Sequence, residues 1–523
     1  MKKHAKQIFW NALLLTGSGL LVRTVGVWFQ VLISNRAGAE AMGLFSLMSG
    51  VYGFSLTLAT SGIHLGVMRV VVDSIGHHMP GKVCPAMRRA VLYALFFGCF
   101  SSALLILFAE PIGLHWIRDA RAIPSLRLLG ITLPFISLSS AFGGYFTAVR
   151  RAYKNACVQV LEQGIKIGAT MLLLTLLAPS DVKSICCALV LGGTVAECGS
   201  FLVDFVLYLS DRRRNYPAGC AESGRAEGRK LLRITVPIAL TTYLRSGLVT
   251  LEHLLIPRGL RNSGASHAAS LIAYGSIQGM ALPVILYPAA LIASFSALLV
   301  PEMAESAVQN RQVRIRYMIS RVWGLSMMFS IGVAGILICF SGEIGAALYP
   351  GTDASFYIRI LAPLIPIMYV DTATDAMLKG LGEQIYSMNI NIADALISVF
   401  LVWFLTPRYG IRGYLATIYF SEIFNTVCSI TRLLVISAPS VRLLKWIYKP
   451  LLSVVGATTV MQLLLRRIPC RVSSLALSVF FHCFGTLILY LGFLFLTGCI
   501  RKEDVRWVET FFRKEADGKK TEV

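Results

Sequence analysis

Apolar runs of about 20 residues, the length a helix needs to cross the hydrocarbon of a bilayer, recur from one end of this chain to the other. In lipid every backbone N–H and C=O must be satisfied inside the segment or in a closed barrel, and runs this long without two-residue alternation are helical. Hydrophobic residues make up 56% of the 523 and charged residues 15%, with a mean hydropathy of +0.68. An ordinary soluble domain and a single-anchor protein are both excluded. Gly, Pro and charge clusters divide the runs into fourteen predicted spans, near 9–34, 44–72, 90–114, 126–148, 156–178, 185–209, 233–257, 270–299, 318–341, 356–380, 386–406, 411–436, 450–468 and 474–499. The predicted fold class is an all-α polytopic membrane protein.

Lys and Arg number 49 against 27 Asp and Glu, a net charge of +22, which in a soluble chain would suggest a nucleic-acid partner. Here no nucleic acid is expected, because short cytoplasmic loops of membrane proteins retain Lys and Arg. Most of the basic residues fall in alternate loops, including Arg88, Arg89, Arg150, Arg151, Lys154 and the cluster from Arg212 to Arg233. That alternation predicts both termini on the cytoplasmic side. The first run follows Lys2, Lys3 and Lys6 like a signal peptide, but it is too long, carries Arg23 and lacks an A-x-A site, so it reads as an uncleaved first helix. Twelve Cys, with no C-x-x-C pair and mostly inside apolar runs, read as small packing residues without disulfides or metal.

One stretch alone resembles a linker: 210–232, polar, basic and Gly-containing. It divides the chain into an N-terminal lobe (1–209, helices 1–6), a cytoplasmic linker (210–232), a C-terminal lobe (233–436, helices 7–12), a terminal helix pair (437–500) and a cytoplasmic tail (501–523). The tail is amphipathic and then highly charged, which suits a membrane-surface segment with a disordered end. The lobes echo one another: LLVRTVGVWFQVLISNR ends at Arg36 and TYLRSGLVTLEHLLIPR at Arg258, with Arg23 and Arg245 at the same offset. FGGYFTAVRRAYKNACVQVLEQ matches TDAMLKGLGEQIYSMNINIADA at a slightly larger offset. Six spans per lobe is an even number, so the predicted repeats are parallel, as in transporters that rock two lobes about a midplane site.

Motifs for covalent chemistry are missing. There is no G-x-x-x-x-G-K-[ST], since Gly81-Lys82 is followed by Val83, and no H-E-x-x-H or G-x-S-x-G. ATP-driven pumping and the common hydrolases are disfavoured; no catalytic residue, cofactor or metal is expected. The informative residues are charges inside apolar runs, each costing a few kcal/mol at the bilayer centre and therefore facing a cavity or a partner. Four cations qualify: Arg23, Arg69, Lys166 and Arg245. They could line a wet pocket for a phosphate or diphosphate, which guanidinium groups hold bidentately. They could equally pair with Glu162, Glu197, Glu252, Asp371, Asp375 or Asp394. Glu162, Gln163 and Lys166 share one helix face; Glu162 and Lys166 form either a self-neutralising pair or an ion-coupling group tuned by its neighbour. Asp371, Asp375 and Lys379 repeat the spacing, as cation ligands or as partners of an Arg. His64, after Ser61-Gly62-Ile63, reads as a packing residue, and Pro134, Pro237, Pro283, Pro288, Pro363 and Pro366 predict kinks.

Four segments together resemble the stage V sporulation protein B group of polysaccharide-biosynthesis membrane proteins: TLATSGIHLGVMR (57–69), VLEQGIKI (160–167), the long segment from LLIPRGLRNSG through LLVPEMAESA (254–307), and LAPLIPIMYVDTATDAMLKGLGE (361–383). The likeness runs from about residue 8 to 440. The group belongs to the multidrug, oligosaccharidyl-lipid and polysaccharide (MOP) exporter superfamily and is similar to the lipid II flippases, with fourteen helices in two lobes plus a terminal pair. The resemblance implies that Arg23 in L-V-R-T-V-G and Arg69 in G-V-M-R line the cavity. Phe29 stands where those flippases often carry a second first-helix Arg, and His64 replaces a Pro usual after Ser-Gly-Ile.

The resemblance implies a non-enzymatic, alternating-access flippase in a bacterial cytoplasmic membrane. Its substrate would be an undecaprenyl-diphosphate-linked oligosaccharide such as a peptidoglycan precursor, bound by Arg23, Arg69, Lys166, Arg245, Glu162 and Gln163, with Glu162, Asp371 and Asp375 as ion-coupling candidates. Membrane lipids and peptidoglycan synthases would be its partners. A cation-coupled multidrug exporter would need an acid-dominated cavity, an embedded transferase a long external loop with His or Asp, and a non-transporting scaffold no buried Arg.

Overall fold

The computed structural model describes residues 2–60, 62–76, 83–151, 153–176, 181–215, 225–438, 444–467 and 475–499. The centre of the predicted linker, 216–224, and the tail, 501–523, lie outside them. Every regular element among the described residues is a helix. In order these are α1 (Lys2–Thr60), α2 (Ile63–Gly76), α3 (Val83–Pro111), prolonged by a π-helical turn Ile112–Ile117, α4 (Ala122–Ala148), α5 (Tyr153–Leu176), α6 (Val182–Asn215) and α7 (Arg225–Asn262). There follow α8 (His267–Gly275), a π-helical turn Ser276–Ala281, α9 (Leu282–Leu286), α10 (Ala289–Val308), α11 (Gln312–Leu348), α12 (Ala354–Leu361), α13 (Ile365–Gly380), α14 (Gln384–Tyr409), α15 (Ile411–Ser437), α16 (Lys449–Arg467) and α17 (Leu475–Leu496). The chain is an α-helical multi-pass membrane protein.

Among the described residues twelve stretches are long and apolar enough to cross a membrane, against the fourteen expected. The first, Leu21–Ile75, contains two expected spans in one, because α1 continues through a kink at Gly38 (φ 77, ψ 167). The helix α7, the least apolar of the long ones, is not among the twelve. Several helices outrun their predicted bounds: α6 reaches Asn215 through Arg212–Arg214. Hydropathy registers only the part of a helix that lies in hydrocarbon. The predicted kinks fall at proline where a break is made, at Pro288 between α9 and α10 and at Pro363 in the short turn between α12 and α13, whereas Pro134 sits inside an unbroken α4.

Packing divides the chain into two units, one of residues 11–29 and 40–271, the other of residues 1–10, 30–39 and 272–523. In the first, Ile63, Val67, Met87, Ala90, Phe142, Tyr145 and Phe146 form an apolar core. Buried serines pin the helices within it: Ser137 Oγ donates to Ala59 O (2.8 Å) and Ala94 O (2.7 Å), and Ser101 Oγ to Ser55 O (2.6 Å). Between helices in lipid, where hydrophobic burial gives no net drive, close packing and such polar rungs supply the attraction.

The helix expected to open the C-terminal lobe, α7, packs in the first unit instead. Its hydroxyls grip α1: Tyr243 Oη reaches Leu58 O at 3.2 Å, Thr250 Oγ1 Gly50 O at 3.0 Å, and Ser246 Oγ Thr57 Oγ1 at 3.1 Å. Gly66 lets α2 approach so closely that a β-carbon there would stand 2.4 Å from Thr235 Cγ2. A boundary drawn from loop composition cannot register such contacts.

In the second unit, Tyr490 Oη donates to Met328 O (2.6 Å), docking α17 on α11 beside Ile331, Val454, Ala457 and Leu494. Tyr369 Oη donates to Ile285 O (2.7 Å) and Trp323 Nε1 to Thr374 Oγ1 (2.9 Å).

The echo between the halves has a backbone counterpart. Left-handed residues close corresponding corners at nearly equal separations: Gly38 (φ 77) with Gly264 (φ 101), Arg118 (φ 60) with Gly351 (φ 73), and Arg150 (φ 59) with Gly382 (φ 87).

Candidate functional site

All four embedded cations fall in the first unit: Arg23 on α1, Arg69 on α2, Lys166 on α5 and Arg245 on α7. Each side chain is exposed; Arg23, Arg69 and Lys166 lie in stretches apolar enough to cross a membrane, whereas the helix of Arg245, α7, is not among those stretches. Arg69 and Arg245 make no hydrogen bond or ion pair with the described residues, so the protein itself does not neutralise them. The face of α5 comes close to α1: a β-carbon at Gly26, one turn beyond Arg23, would lie 3.7 Å from Gln163 Nε2.

These cations do not converge on one point. On the antiparallel pair α2 and α7, Gly66 faces Thr235; from that contact Arg69 lies three residues toward one end and Arg245 ten toward the other. At 1.5 Å rise per residue the two are about 20 Å apart along the helix axes, several times the span of a diphosphate. Shared membership of apolar runs says nothing of depth, and along the helix axes Arg69 and Arg245 stand at different levels.

Beside Lys166 stands an acidic group. Glu162, Lys166 and Glu197 are close enough to act on one another's charge, and Asp204 is close enough to act with Glu162. Sequence reasoning missed Asp204; the seven-residue step from Glu197 puts both on one face of α6, a signal that was there to be used. His64 follows the break at Gly62 (φ 75) and packs its ring against Gly143, where a β-carbon would be 3.3 Å from Nδ1. This is the packing role expected of it.

The second unit carries the other candidates. Asp375 accepts from Lys379 Nζ one turn on and from Ser387 Oγ, so the expected arginine partner is a lysine of its own helix. Asn425 Nδ2 approaches Asp371 Oδ2 at 3.5 Å while Asp371 Oδ1 is buried without a hydrogen-bond partner. Ser421 Oγ donates to Asp394 (2.7 Å). Asp394 and Glu422 lie within electrostatic reach of Asp371. Glu422 was not picked out from sequence, although Ser421, Glu422, Asn425 and Ser429 recur along α15 at helical spacing. No group of three or more His, Cys, Asp or Glu among the described residues is placed to hold a metal ion.

A third group sits where the turns α3–α4 and α7–α8 meet the kink of α1. Arg121 donates from Nε and Nη2 to Asp119 (2.8 Å for the Nη2 contact) and from Nη2 to Glu40 Oε1 (2.8 Å). His267 Nε2 bonds Asp119 Oδ2 (3.0 Å), and Arg261 Nη1 bonds His267 Nδ1 (2.7 Å) and Ile117 O (3.3 Å). A guanidinium only donates, so His267 accepts at Nδ1 and carries its proton on Nε2. Burial pushes the Asp119 carboxyl up, but hydrogen bonds from Arg121 and His267 outweigh it and hold the group below the usual range.

No family model matches the chain. It is 23% identical to Stage V sporulation protein B of Bacillus subtilis (strain 168) over 417 residues, 78% of this chain and 80% of that one. It is 18% identical to Sporulation protein YkvU of the same organism over 401 residues, 74% and 87% of the respective chains. Among solved structures it superposes on the lipid II flippase MurJ in an inward closed conformation with a TM-score of 0.70 at 14% identity, covering 94% of this chain and all of that one. An inward-facing multidrug resistance MATE family transporter gives 0.62 at 15% identity, covering 81% and 100%. By sequence along most of its length and by fold, the chain resembles Stage V sporulation protein B and the flippases and transporters of the MOP superfamily, none of which is named as an enzyme.

Proposed function

We propose that this protein is an alternating-access flippase that carries an anionic lipid-linked glycan precursor, an undecaprenyl-diphosphate oligosaccharide of the lipid II type, across a bacterial cytoplasmic membrane with both termini in the cytoplasm. The observation that carries the reading is the set of exposed cations on the helices of the first unit, three of them in apolar spans. Embedded charge is costly, and Arg69 and Arg245, with no partner among the described residues, recover that cost when a diphosphate supplies the counter-charge. Spread over about 20 Å of depth, the cations serve in sequence: Arg69 meets the headgroup first, Arg23 with Gln163 next, Lys166 and Arg245 deeper in. The acids beside Lys166 suit sugar hydroxyls. The likeness to MurJ and to Stage V sporulation protein B supports this substrate class. The terminal helices α16 and α17 provide the surface for the polyprenyl tail, and the synthases that use the precursor are natural partners.

A second reading, a cation-coupled exporter of the MATE type, rests on the TM-score of 0.62 and the acids Asp371, Asp394 and Glu422. The test is binding of undecaprenyl-diphosphate-linked precursor to purified protein by native mass spectrometry, wild type against Arg23→Ala/Arg69→Ala. A charge-assisted hydrogen bond contributes about 1.5–3 kcal/mol, so each lost guanidinium weakens binding roughly ten- to a hundredfold. Equal binding by both proteins, or cation-dependent drug binding instead, would sink the flippase reading.

A further inference from the structure

Arg118, Arg258 and Arg261 gather at the end of the first unit that the charge alternation assigns to the outside. Arg118 and Arg258 are exposed and make no hydrogen bond or ion pair with the described residues, yet both lie close enough to Arg261 to act on its charge. Burial first, and then the charges of Arg118 and Arg258, push the Arg261 guanidinium below its ordinary value, against the pull of Asp119. The nearest carboxylate does not relieve the crowding, because Asp119 is nearly buried and already holds Arg121 and His267. The same ring of bonds fixes Arg261 through His267 and the carbonyl of Ile117, so the three guanidiniums are carried on a tied scaffold.

The backbone points the same way. Arg118 closes its turn in the left-handed region (φ 60, ψ 37), where a side chain is strained and glycine is at ease. The corresponding corner of the second unit, between α11 and α12, has Gly351 (φ 73). An arginine stands where the turn favours glycine, beside two like charges.

We propose that Arg118, Arg258 and Arg261 form a site for a phosphate or diphosphate group, distinct from the cations deeper in the unit. Planar guanidinium forks each match one edge of a phosphate, and several of them suit a multiply charged anion, where one carboxylate would be neutralised by a single arginine. The headgroup of a polyprenyl phosphate and free inorganic pyrophosphate share this chemistry. The proposal does not depend on the flippase reading.

The test uses the full chain in phosphatidylcholine nanodiscs, with arginine modification by phenylglyoxal read residue by residue by peptide mass spectrometry. Either inorganic pyrophosphate in solution or undecaprenyl phosphate in the disc is expected to lower labelling of Arg118 and Arg258 severalfold. Protection by the lipid alone identifies a headgroup, and protection by both identifies a general phosphate site. Protection by neither overturns the proposal, whatever happens at Arg23, Arg69 and Arg245, whose labelling reports on the deeper cations separately. Arg118→Gly provides the second arm: relief of the left-handed strain should raise the thermal midpoint while protection at Arg258 is lost. Undiminished protection of Arg258 in that variant overturns the site as drawn.

Discussion

Each unit closes one corner with an ion pair, and the two corners have opposite polarity. In the first, Asp211 near the end of α6 accepts from Arg151, from Lys154 Nζ at 2.9 Å and from Tyr145 Oη at 2.8 Å. In the second, Arg432 near the end of α15 donates to Glu383 at 2.9 and 3.0 Å. Arg151 and Glu383 hold the same place, one residue after the left-handed Arg150 and Gly382. The base stands on the turn and the acid on the second helix after it in one unit, and the reverse in the other. What the corner requires is complementarity, so either sign serves. Burial is what differs: the Asp211 side chain is 2% exposed and the Glu383 side chain 26%. An unpartnered charge is expensive only where water cannot reach it.

The comparison is most exposed to refutation at Asp211. Its replacement by alanine leaves Arg151 and Lys154 facing each other at a closed corner, and should cost about 3–5 kcal/mol, read as a fall in the thermal unfolding midpoint of the purified protein. A loss no larger than that of Glu383→Ala would break the argument from burial.

The acid ring at the other end of the first unit comes next. Asp119→Asn removes the charge on which Arg121 and His267 converge and should cost about 1–3 kcal/mol. Because the folded carboxyl lies below its ordinary value, its stabilisation is complete above an unfolded value of about 3.9 and is lost as pH falls through the lower folded value. Wild type should lose stability in that acid window more steeply than Asp119→Asn, and parallel acid curves would contradict the assignment.

The smallest effect belongs to the half-exposed corner. Glu383→Ala should lower the thermal midpoint least of the three, because water screens the partly exposed Arg432. The reversed pair Glu383→Arg/Arg432→Glu, which gives the second unit the polarity of the first, should recover most of that fall in a double-mutant cycle. Failure to recover would mean that the surroundings of the second corner select a sign.

Much of this was legible in the sequence. Arg23 and Arg245 were found because an isolated cation in an apolar run has few bland explanations, whereas the break at Gly62 (φ 75) falls inside the one continuous span predicted over 44–72. The corner at Arg150 and Gly382 was visible as a repeat, although neither residue announces a left-handed turn. The register of α7 was not legible: its hydroxyls at Tyr243, Ser246 and Thr250 look like tolerated polar residues until they are seen against the carbonyls of α1. Glu422 and Asp204 were overlooked although same-face spacing pointed to each, Asp204 seven residues after Glu197 and Glu422 among Ser421, Asn425 and Ser429. Their acidic neighbours on other helices are visible only in the folded chain.

The sequence by itself determined that this chain is helical and crosses a membrane many times, since a backbone in hydrocarbon must satisfy its hydrogen bonds within a helix or a closed barrel, and long apolar runs without two-residue alternation fit only the helix. Only the tertiary structure decided the depth of each cation, the unit to which α7 belongs, and the meeting of Asp119, Arg121, His267 and Arg261 across three connections. Depth and pairing depend on which residues of two helices face each other, and packing between side chains far apart in the chain fixes that.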